Sequence, residues 1–273
     1  MIFYFSATGN SKRVAERIAQ ETGDDRLVDI GAVMRTAVTQ RFRARFRYGL
    51  AQGEAVGVAF PVYFWGLPSV VDEFFDLLTL DALDPASVYA YCVATYGTTT
   101  GQVGNLIGAH LARQGIVLAA RFGVQCPDTF TPMFNLSNPD KVAVKVARAE
   151  QQIDEVATHV AFRDAGNFMR RTVPAPLTWA YRPFYQHYRL CGHLSATDGC
   201  IGCGRCAQKC PCAAIEMRGA LGGDKADRRP AWIKERCAMC LRCLHCCPAH
   251  AIQYGTGRTT AKHGQYTNPH TQV

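Results

Sequence analysis

The first 162 residues alternate short apolar runs with longer stretches in which apolar positions recur every three or four residues. The short runs predict five strands, at residues 2–5, 27–30, 55–60, 88–94 and 116–124. The longer stretches predict four helices, at residues 10–22, 67–78, 102–114 and 139–162. Strands that alternate with helices are typical of an α/β fold with a parallel sheet covered on both faces. Five strands fit the doubly wound order 2-1-3-4-5.

The rest of the chain has a different pattern. Prolines and mixed aromatic and basic residues interrupt the rhythm over residues 163–197, which predicts a connector packed between two domains. A helix that lies on a membrane surface or binds a partner is the alternative for this segment. Residues 198–256 predict a small second domain, and residues 257–273 predict a polar, extended tail.

Composition points to metal chemistry in the second domain. Of thirteen cysteines, only Cys92 and Cys126 precede residue 190, and the other eleven lie between Cys191 and Cys247. No run of 18 apolar residues and no basic leader at the N-terminus are found, so we expect a cytoplasmic chain without a membrane span. In a reducing compartment, clustered cysteines indicate metal binding rather than disulfides.

The clustered cysteines form two repeats of the spacing C-x2-C-x2-C-x3-C-P. The offset between the repeats is 37 residues, from Cys200 to Cys237. This spacing is typical of 4Fe–4S clusters in bacterial ferredoxins, where the fourth cysteine of each repeat ligates the other cluster. One cluster is therefore predicted on Cys200, Cys203, Cys206 and Cys247. The other is predicted on Cys237, Cys240, Cys243 and Cys210.

Two points qualify this assignment. Zinc is the alternative metal, but zinc sites usually show two C-x2-C pairs, which matches the repeats poorly. Cys212 and Cys246 fall outside the repeated spacing, so we interpret them as packing residues.

Three loops follow predicted strands and carry small polar and aromatic residues. Residues 6–11 read Ser-Ala-Thr-Gly-Asn-Ser, residues 61–66 read Pro-Val-Tyr-Phe-Trp-Gly, and residues 95–101 begin Thr-Tyr-Gly. The carboxyl ends of parallel strands meet at one sheet edge, where open α/β sheets bind ligands. The first loop suits a phosphate and the other two suit a flat isoalloxazine ring. Ordinary helix capping and ordinary core aromatics are the alternatives.

With these motifs in place, residues 1–162 resemble a flavodoxin, and nearly the whole chain is similar to the flavodoxin–ferredoxin fusion family. The terminal Tyr-Thr-Asn-Pro of residues 266–269 is also similar to that family. The resemblance implies a flavodoxin-like domain followed by a small α+β bacterial ferredoxin-like domain, with FMN as the flavin. It implies phosphate binding by Ser6, Thr8, Gly9, Asn10 and Ser11. It also implies that the cofactor site takes in Pro61, Val62, Tyr63, Phe64, Trp65, Thr95, Tyr96 and Gly97.

The implied function is electron transfer between two 4Fe–4S clusters and FMN, with a low-potential protein partner or a small-molecule acceptor at the far end. Two alternatives are an FMN-dependent reductase that acts directly on a small substrate, and an iron–sulfur sensor whose flavodoxin domain lacks FMN. The sequence leaves open whether the cofactors meet within one chain or across a homodimer.

Net charge adds little to this interpretation. The formal charge is +8, but each oxidised cluster with its thiolates carries about −2 and a flavin phosphate about −2, which leaves about +2. A nucleic-acid partner is therefore not predicted. Arginines alternate at positions 41, 43, 45 and 47, and a solvated strand face explains them more simply than a docking stripe does.

Overall fold

The computed structural model of the chain describes residues 1–40, 45–170, 172–219 and 228–273. Within these residues the helices are α1 Asn10–Thr22, α2 Ile30–Thr39, α3 Ser69–Leu77, α4 Val103–Ala112, α5 Pro139–Ala161, α6 Ala175–Tyr188, α7 Arg205–Lys209, α8 Arg242–His245 and α9 Thr260–His263. The strands are β1 Ile2–Tyr4, β2 Leu27–Asp29, β3 Phe46–Leu50, β4 Ala55–Pro61, β5 Leu78–Ala82, β6 Tyr89–Tyr96, β7 Leu118–Gln125, β8 Gly166–Asn167, β9 Leu194–Ala196, β10 Ile215–Arg218, β11 Arg229–Trp232 and β12 Ile252–Tyr254.

The central sheet has the strand order β2-β1-β4-β6-β7-β8, and all its neighbouring strands are parallel. Every residue of β6 is buried, as expected for a parallel strand covered on both faces. The predicted α/β class with a mainly parallel sheet is therefore confirmed. The predicted count of five strands is one short, because β8 adds a sixth. This strand is two polar residues long within the predicted connector, so it carries no hydrophobic pattern.

Two apolar cores lie on the two faces of this sheet. On one face, Val14 and Ile18 of α1 pack with Ile153 and Val156 of α5 against the strands. On the other face, a core that includes Phe74 and other residues of α3 also draws on α2 and α4. The helical spacing of these apolar residues is the pattern that predicted α1, α3, α4 and α5.

One α-helix and two strands that the structure describes in the first 162 residues were not predicted. Helix α2 begins directly after β2, and the side chain of Asp29 caps it by accepting from the N–H of Ala32 at 3.1 Å. Strands β3 and β5 form a separate parallel pair, in which Arg47 contacts Asp81 at 2.6 Å. Positions 41 and 43 of the arginine stripe lie outside the described residues.

The predicted connector contains α6, which spans Pro183, followed by a 3-10 turn at Cys191–His193. Beyond it, β9 pairs with β12 and β10 pairs with β11, both antiparallel. The tail predicted as extended contains the short helix α9. The domain boundaries at residues 162, 197 and 256 stay predictions.

In the parts of the chain that the structure describes, we find no helix with the length and apolar character needed to cross a membrane.

Candidate functional site

The segment of residues 6–11, which joins β1 to α1 and includes the first two residues of α1, is polar but buried. Four of its side chains are no more than 8% exposed: Ser6, Thr8, Asn10 and Ser11. Gly9 precedes the helix with a φ of 101°, and no side chain caps the N-terminus of α1. The N–H of Gly9 donates to Ser6 Oγ at 3.0 Å. Since the first N–H groups of a helix have no partner within it, this loop has the donors that bind an anion.

A cavity of about 370 Å³ opens beside this loop, at the carboxyl ends of the central strands. Pockets for cofactors and small ligands usually fall between about 300 and 1,000 Å³. Twelve of the thirteen residues that the sequence assigned to a cofactor line it: Ser6, Thr8, Asn10, Ser11, Pro61, Val62, Tyr63, Phe64, Trp65, Thr95, Tyr96 and Gly97. Gly9, the thirteenth, belongs to the same loop, but its α-carbon faces the C-terminal tail. The three predicted loops thus border one cavity.

The aromatic wall of the cavity is a tight turn after β4. Tyr63 and Gly66 exchange backbone hydrogen bonds of 3.0 and 2.9 Å. Between them, Phe64 and Trp65 have φ values of 48° and 61°, in the left-handed region that non-glycine residues rarely adopt. Such residues cost about 1–3 kcal/mol each and persist where their surroundings hold them. Here the ring centroid of Trp65 lies 4.0 Å from that of Tyr181.

A fourth loop, residues 126–130 after β7, also lines the cavity and was not predicted. Asp128 lies in it and accepts a hydrogen bond from the N–H of Phe130 at 3.0 Å. Burial raises the pKa of Asp128 above its ordinary value, although this hydrogen bond and Lys145 oppose the shift. Opposite Asp128, a Cβ at Gly97 would collide with the carboxyl group, which explains the glycine there. The position of the loop at a strand's carboxyl end was the signal that would have identified it.

The cavity also draws on the cysteine-rich part of the chain. Met239, Cys240 and Leu241 line it together with the loop of residues 6–11. Tyr63 lies at this border, and its burial, together with the neighbouring Cys240, raises the pKa of its hydroxyl well above the ordinary value. The sequence pattern predicts Cys240 as a cluster ligand, but it did not indicate that Cys240 lies beside the predicted cofactor loops.

The backbone of the cysteine segment repeats with the same 37-residue offset as its sequence. Three pairs of residues at this offset share the left-handed conformation: Gly202 and Met239, Gly204 and Leu241, Ala213 and His250. The fourth cysteine of each repeat also accepts the same kind of bond, since Ala214 N–H donates to Cys210 Sγ and Ala251 N–H donates to Cys247 Sγ, both at 3.3 Å. Backbone N–H groups directed at cysteine sulfurs are a feature of iron–sulfur sites.

The four cysteines predicted to share the second cluster border one small cavity: Cys210, Cys237, Cys240 and Cys243. Cys212 lines the same cavity. Burial raises the pKa of the Cys240 thiol to about 12. A thiol with so high a pKa stays protonated at neutral pH unless a metal takes the place of the proton.

The other predicted set is more open. Cys206 is buried, which raises the pKa of its thiol to about 11, and Cys200 and Cys247 lie close enough to interact with it electrostatically. Cys203 is exposed. Among the described residues, no group of three or more Cys, His, Asp or Glu side chains is arranged to hold a single metal ion.

Two of the remaining cysteines contact the predicted ligands. The thiol of Cys246 donates to the carbonyl oxygen of Cys243 at 3.8 Å. Cys191, to which the sequence assigned no role, is 2% exposed, and its hydrogen bond with Cys237 lowers the pKa of its thiol.

Comparisons with known proteins bear on the first part of the chain. A family model of the flavodoxin domain matches residues 1–154, more than half of the 273 residues. No curated protein matches the chain.

Three solved structures resemble the chain weakly. A protein described as a flavoprotein from Bacteroides uniformis is 18% identical, with 46% of this chain and 88% of that chain covered and a TM-score of 0.33. Rubredoxin oxygen:oxidoreductase from Desulfovibrio gigas is 16% identical, with 57% and 35% covered and a TM-score of 0.31. Trp repressor binding protein from Bacillus subtilis is 14% identical, with 61% and 100% covered and a TM-score of 0.35. TM-scores this low do not establish a shared fold, so the family assignment rests on the match over residues 1–154.

Proposed function

Because the chain belongs to the flavodoxin domain family, we propose that it binds FMN in the cavity beside residues 6–11 and carries two 4Fe–4S clusters on its cysteine repeats. Its function is then electron transfer between the clusters and FMN, to or from a protein redox partner or a small-molecule acceptor. When bound, the clusters exchange single electrons and FMN exchanges one or two, which is the chemistry that the protein orients and tunes.

The chemistry of the cavity supports FMN. Its phosphate end has buried hydroxyls and the uncapped N-terminus of α1, which together suit a dianion without a basic side chain. Its other end has the aromatic turn of residues 63–66, whose rings suit a flat heterocycle. The residues assigned to the phosphate are Ser6, Thr8, Gly9, Asn10 and Ser11.

The chemistry of the donors supports the clusters. Each cysteine of a cubane binds a different iron atom, so four thiols spaced around a cavity suit a cluster better than a single ion. Cys210 reaches the cavity lined by Cys237, Cys240 and Cys243 although it belongs to the other repeat, which supports crossed ligation. The repeated left-handed residues and N–H···S contacts support two equivalent sites.

One observation carries the relay: residues 239–241 line the same cavity as the phosphate loop. A cluster held by Cys240 would therefore lie beside a flavin bound in this cavity, which supports electron transfer within one chain. The other cluster is ligated by the exposed Cys203, on the more open side of the repeats. We place the solvent-facing cluster at the partner end of the path and the Cys240 cluster at the flavin end.

The first test is cofactor content of the chain purified without oxygen. We expect one FMN per chain, about eight iron and eight sulfide, and an absorption spectrum that combines flavin bands with a broad iron–sulfur shoulder. Cluster absorption without releasable FMN contradicts the relay and favours the iron–sulfur sensor.

A pair of cysteine variants tests the cluster nearer the flavin. Cys240 and Cys212 line the same cavity, but only Cys240 is a proposed ligand. We expect C240A to lose about four iron per chain and C212A to keep the wild-type content. Equal iron loss in the two variants contradicts the ligand assignment.

A second candidate function, direct reduction of a small substrate, is favoured by Asp128. Its carboxyl group lines the flavin cavity with a raised pKa, which suits a group that donates a proton during reduction. Steady turnover of a small acceptor with no protein partner present supports this function, provided that D128N slows it. Without such turnover the relay is the better description.

A further inference from the structure

Helix α8 belongs to the cysteine repeats by sequence, but its side chains form hydrogen bonds with two of the loops that line the proposed flavin cavity. Arg242 lies between the proposed ligands Cys240 and Cys243. Its Nη2 donates to the carbonyl oxygen of Ser6 at 2.6 Å and its Nε donates to that of Ala7 at 3.2 Å. A guanidinium that binds two successive carbonyl groups holds the first half of the phosphate loop in one orientation.

Another residue of α8 contacts the loop of residues 126–130 and the C-terminal tail. His245 is 5% exposed, and its Nε2 donates to the carbonyl oxygen of Thr129 in the loop after β7 at 2.8 Å. With its proton on Nε2, the Nδ1 of His245 accepts from the N–H of Tyr266 at 3.2 Å. One short helix therefore connects the phosphate loop, the loop of residues 126–130 and the C-terminal tail.

The tail holds the other half of the phosphate loop. The hydroxyl of Tyr266 and the side-chain amide of Asn268 both donate to Asn10 Oδ1, at 2.7 and 3.0 Å. The backbone N–H of Asn268 donates to the carbonyl oxygen of Thr8 at 2.7 Å. These contacts are buried and join residues more than 250 positions apart in the chain.

The approach of the tail explains why Gly9 has no side chain. A Cβ on Gly9 would lie 2.8 Å from the Cβ of Asn268 and 3.0 Å from Val273. The tail thus covers the outer side of the phosphate loop, while the inner side, with Thr8 and Asn10, lines the cavity.

From these contacts we propose that α8 and the tail of residues 264–273 form a clamp that holds the phosphate loop in its FMN-binding conformation. Arg242, Tyr266 and Asn268 are its positioning residues: they act on FMN through the loop. The consequence is a coupling between cluster loading and FMN affinity, since α8 contains the proposed ligand Cys243 and ends two residues before the proposed ligand Cys247. This inference rests on the proposed binding of FMN to this cavity.

The chain contains a matched control for Arg242. Arg205 occupies the equivalent position of the first repeat, between Cys203 and Cys206, and it is exposed. R242A and R205A each remove one arginine from a cysteine loop and keep all eight proposed ligands. Y266F is the decisive variant, because it removes only the hydroxyl that binds Asn10 and keeps every cysteine and the backbone bond from Tyr266 to His245.

The test is an FMN dissociation constant for each full-length variant, measured by fluorescence titration after the flavin is removed and with iron content matched. We expect Y266F to weaken FMN binding about three- to tenfold and R242A by about tenfold or more, as loss of buried hydrogen bonds predicts. R205A should stay within about twofold of the wild-type chain.

A dissociation constant of Y266F within about twofold of wild type overturns the clamp, whatever R242A shows. Equal weakening by R205A and R242A also overturns it, because a general loss of positive charge then explains the effect. If the wild-type chain takes up no FMN, the proposed function itself fails. An effect confined to the clamp variants supports both.

Discussion

The hydroxyl of Tyr185 joins the flavodoxin domain to the cysteine repeats, and its removal is a sharp test of that contact. The hydroxyl accepts from the N–H of Ser69 at 3.0 Å and donates to the carbonyl oxygen of Ala238 at 3.0 Å. Ser69 is the first residue of α3, whose preceding residue is Pro68 and which has no side-chain cap. Tyr185 therefore satisfies one of the helix's unpaired N–H groups from a distant part of the chain.

The magnitude follows from burial. Tyr185, Ser69 and Ala238 are 0%, 6% and 1% exposed, so water does not readily replace the lost hydroxyl. Each buried group left without its partner costs about 1–3 kcal/mol. With two such groups, we expect Y185F to lower the free energy of unfolding by about 2–6 kcal/mol, a large part of the 5–15 kcal/mol typical of a folded domain. The ring contacts of Tyr185, including the 5.6 Å stacking with Phe64, remain in this variant.

The assay is urea unfolding without oxygen, followed by circular dichroism on samples of equal iron and flavin content. Tyr181 lies on the same helix and is 41% exposed, so Y181F is the control, with an expected change below about 0.5 kcal/mol. A midpoint for Y185F equal to that of Y181F, at unchanged slope, would refute the reasoning about the buried hydroxyl.

Three further predictions concern the site. G9A forces a side chain onto a φ of 101° and against Asn268, so the FMN dissociation constant should rise at least tenfold, which corresponds to a loss of about 1.4 kcal/mol in binding free energy. An unchanged dissociation constant would show that the tail moves aside at little cost. Relative to the wild-type chain, D128N should become increasingly stable as pH rises from about 4, because the raised pKa of Asp128 means that folding disfavours its ionised form. Unfolding midpoints of D128N and the wild-type chain between about pH 4 and 8 test this, and a difference in midpoint that does not change with pH contradicts it. C210S and C247S should each lose about four iron per chain, measured by iron assay, and retention of both clusters in either variant would rule out crossed ligation.

Part of the candidate site could be predicted because its determinants are local. The phosphate loop, the aromatic turn and the loop after β6 each follow a strand that the apolar pattern reveals, and parallel strands bring their ends together. The loop after β7 obeys the same rule but lacks a distinctive composition, so it was missed. Asp128 was missed with it.

The fold shows the same division. Helices with strong apolar periodicity, such as α1 and α5, were predicted within a few residues. Helix α2 was missed because it begins at Ile30, directly after β2, and the apolar run of residues 27–30 assigned Ile30 to the strand. Strands β3 and β5 pair with each other across 32 residues, and β8 is only two residues long. Neither the distant pairing nor so short a strand leaves a local hydrophobic pattern in the sequence.

The amino-acid sequence by itself determined where the candidate groups lie: which thiols repeat at the spacing predicted for a cluster, and which short loop presents hydroxyls at a helix start. Those properties depend on residue type and on separations of a few positions, so they are legible in one dimension. The tertiary structure alone decided that residues 239–241 border the same cavity as the loop of residues 6–11, that Arg242 and Tyr266 bind this loop, and that Tyr185 caps α3. These hydrogen bonds of Tyr185, Arg242 and Tyr266 join residues separated by 116 to 256 positions, and such pairs are chosen by how the packed surfaces fit, which no local pattern encodes.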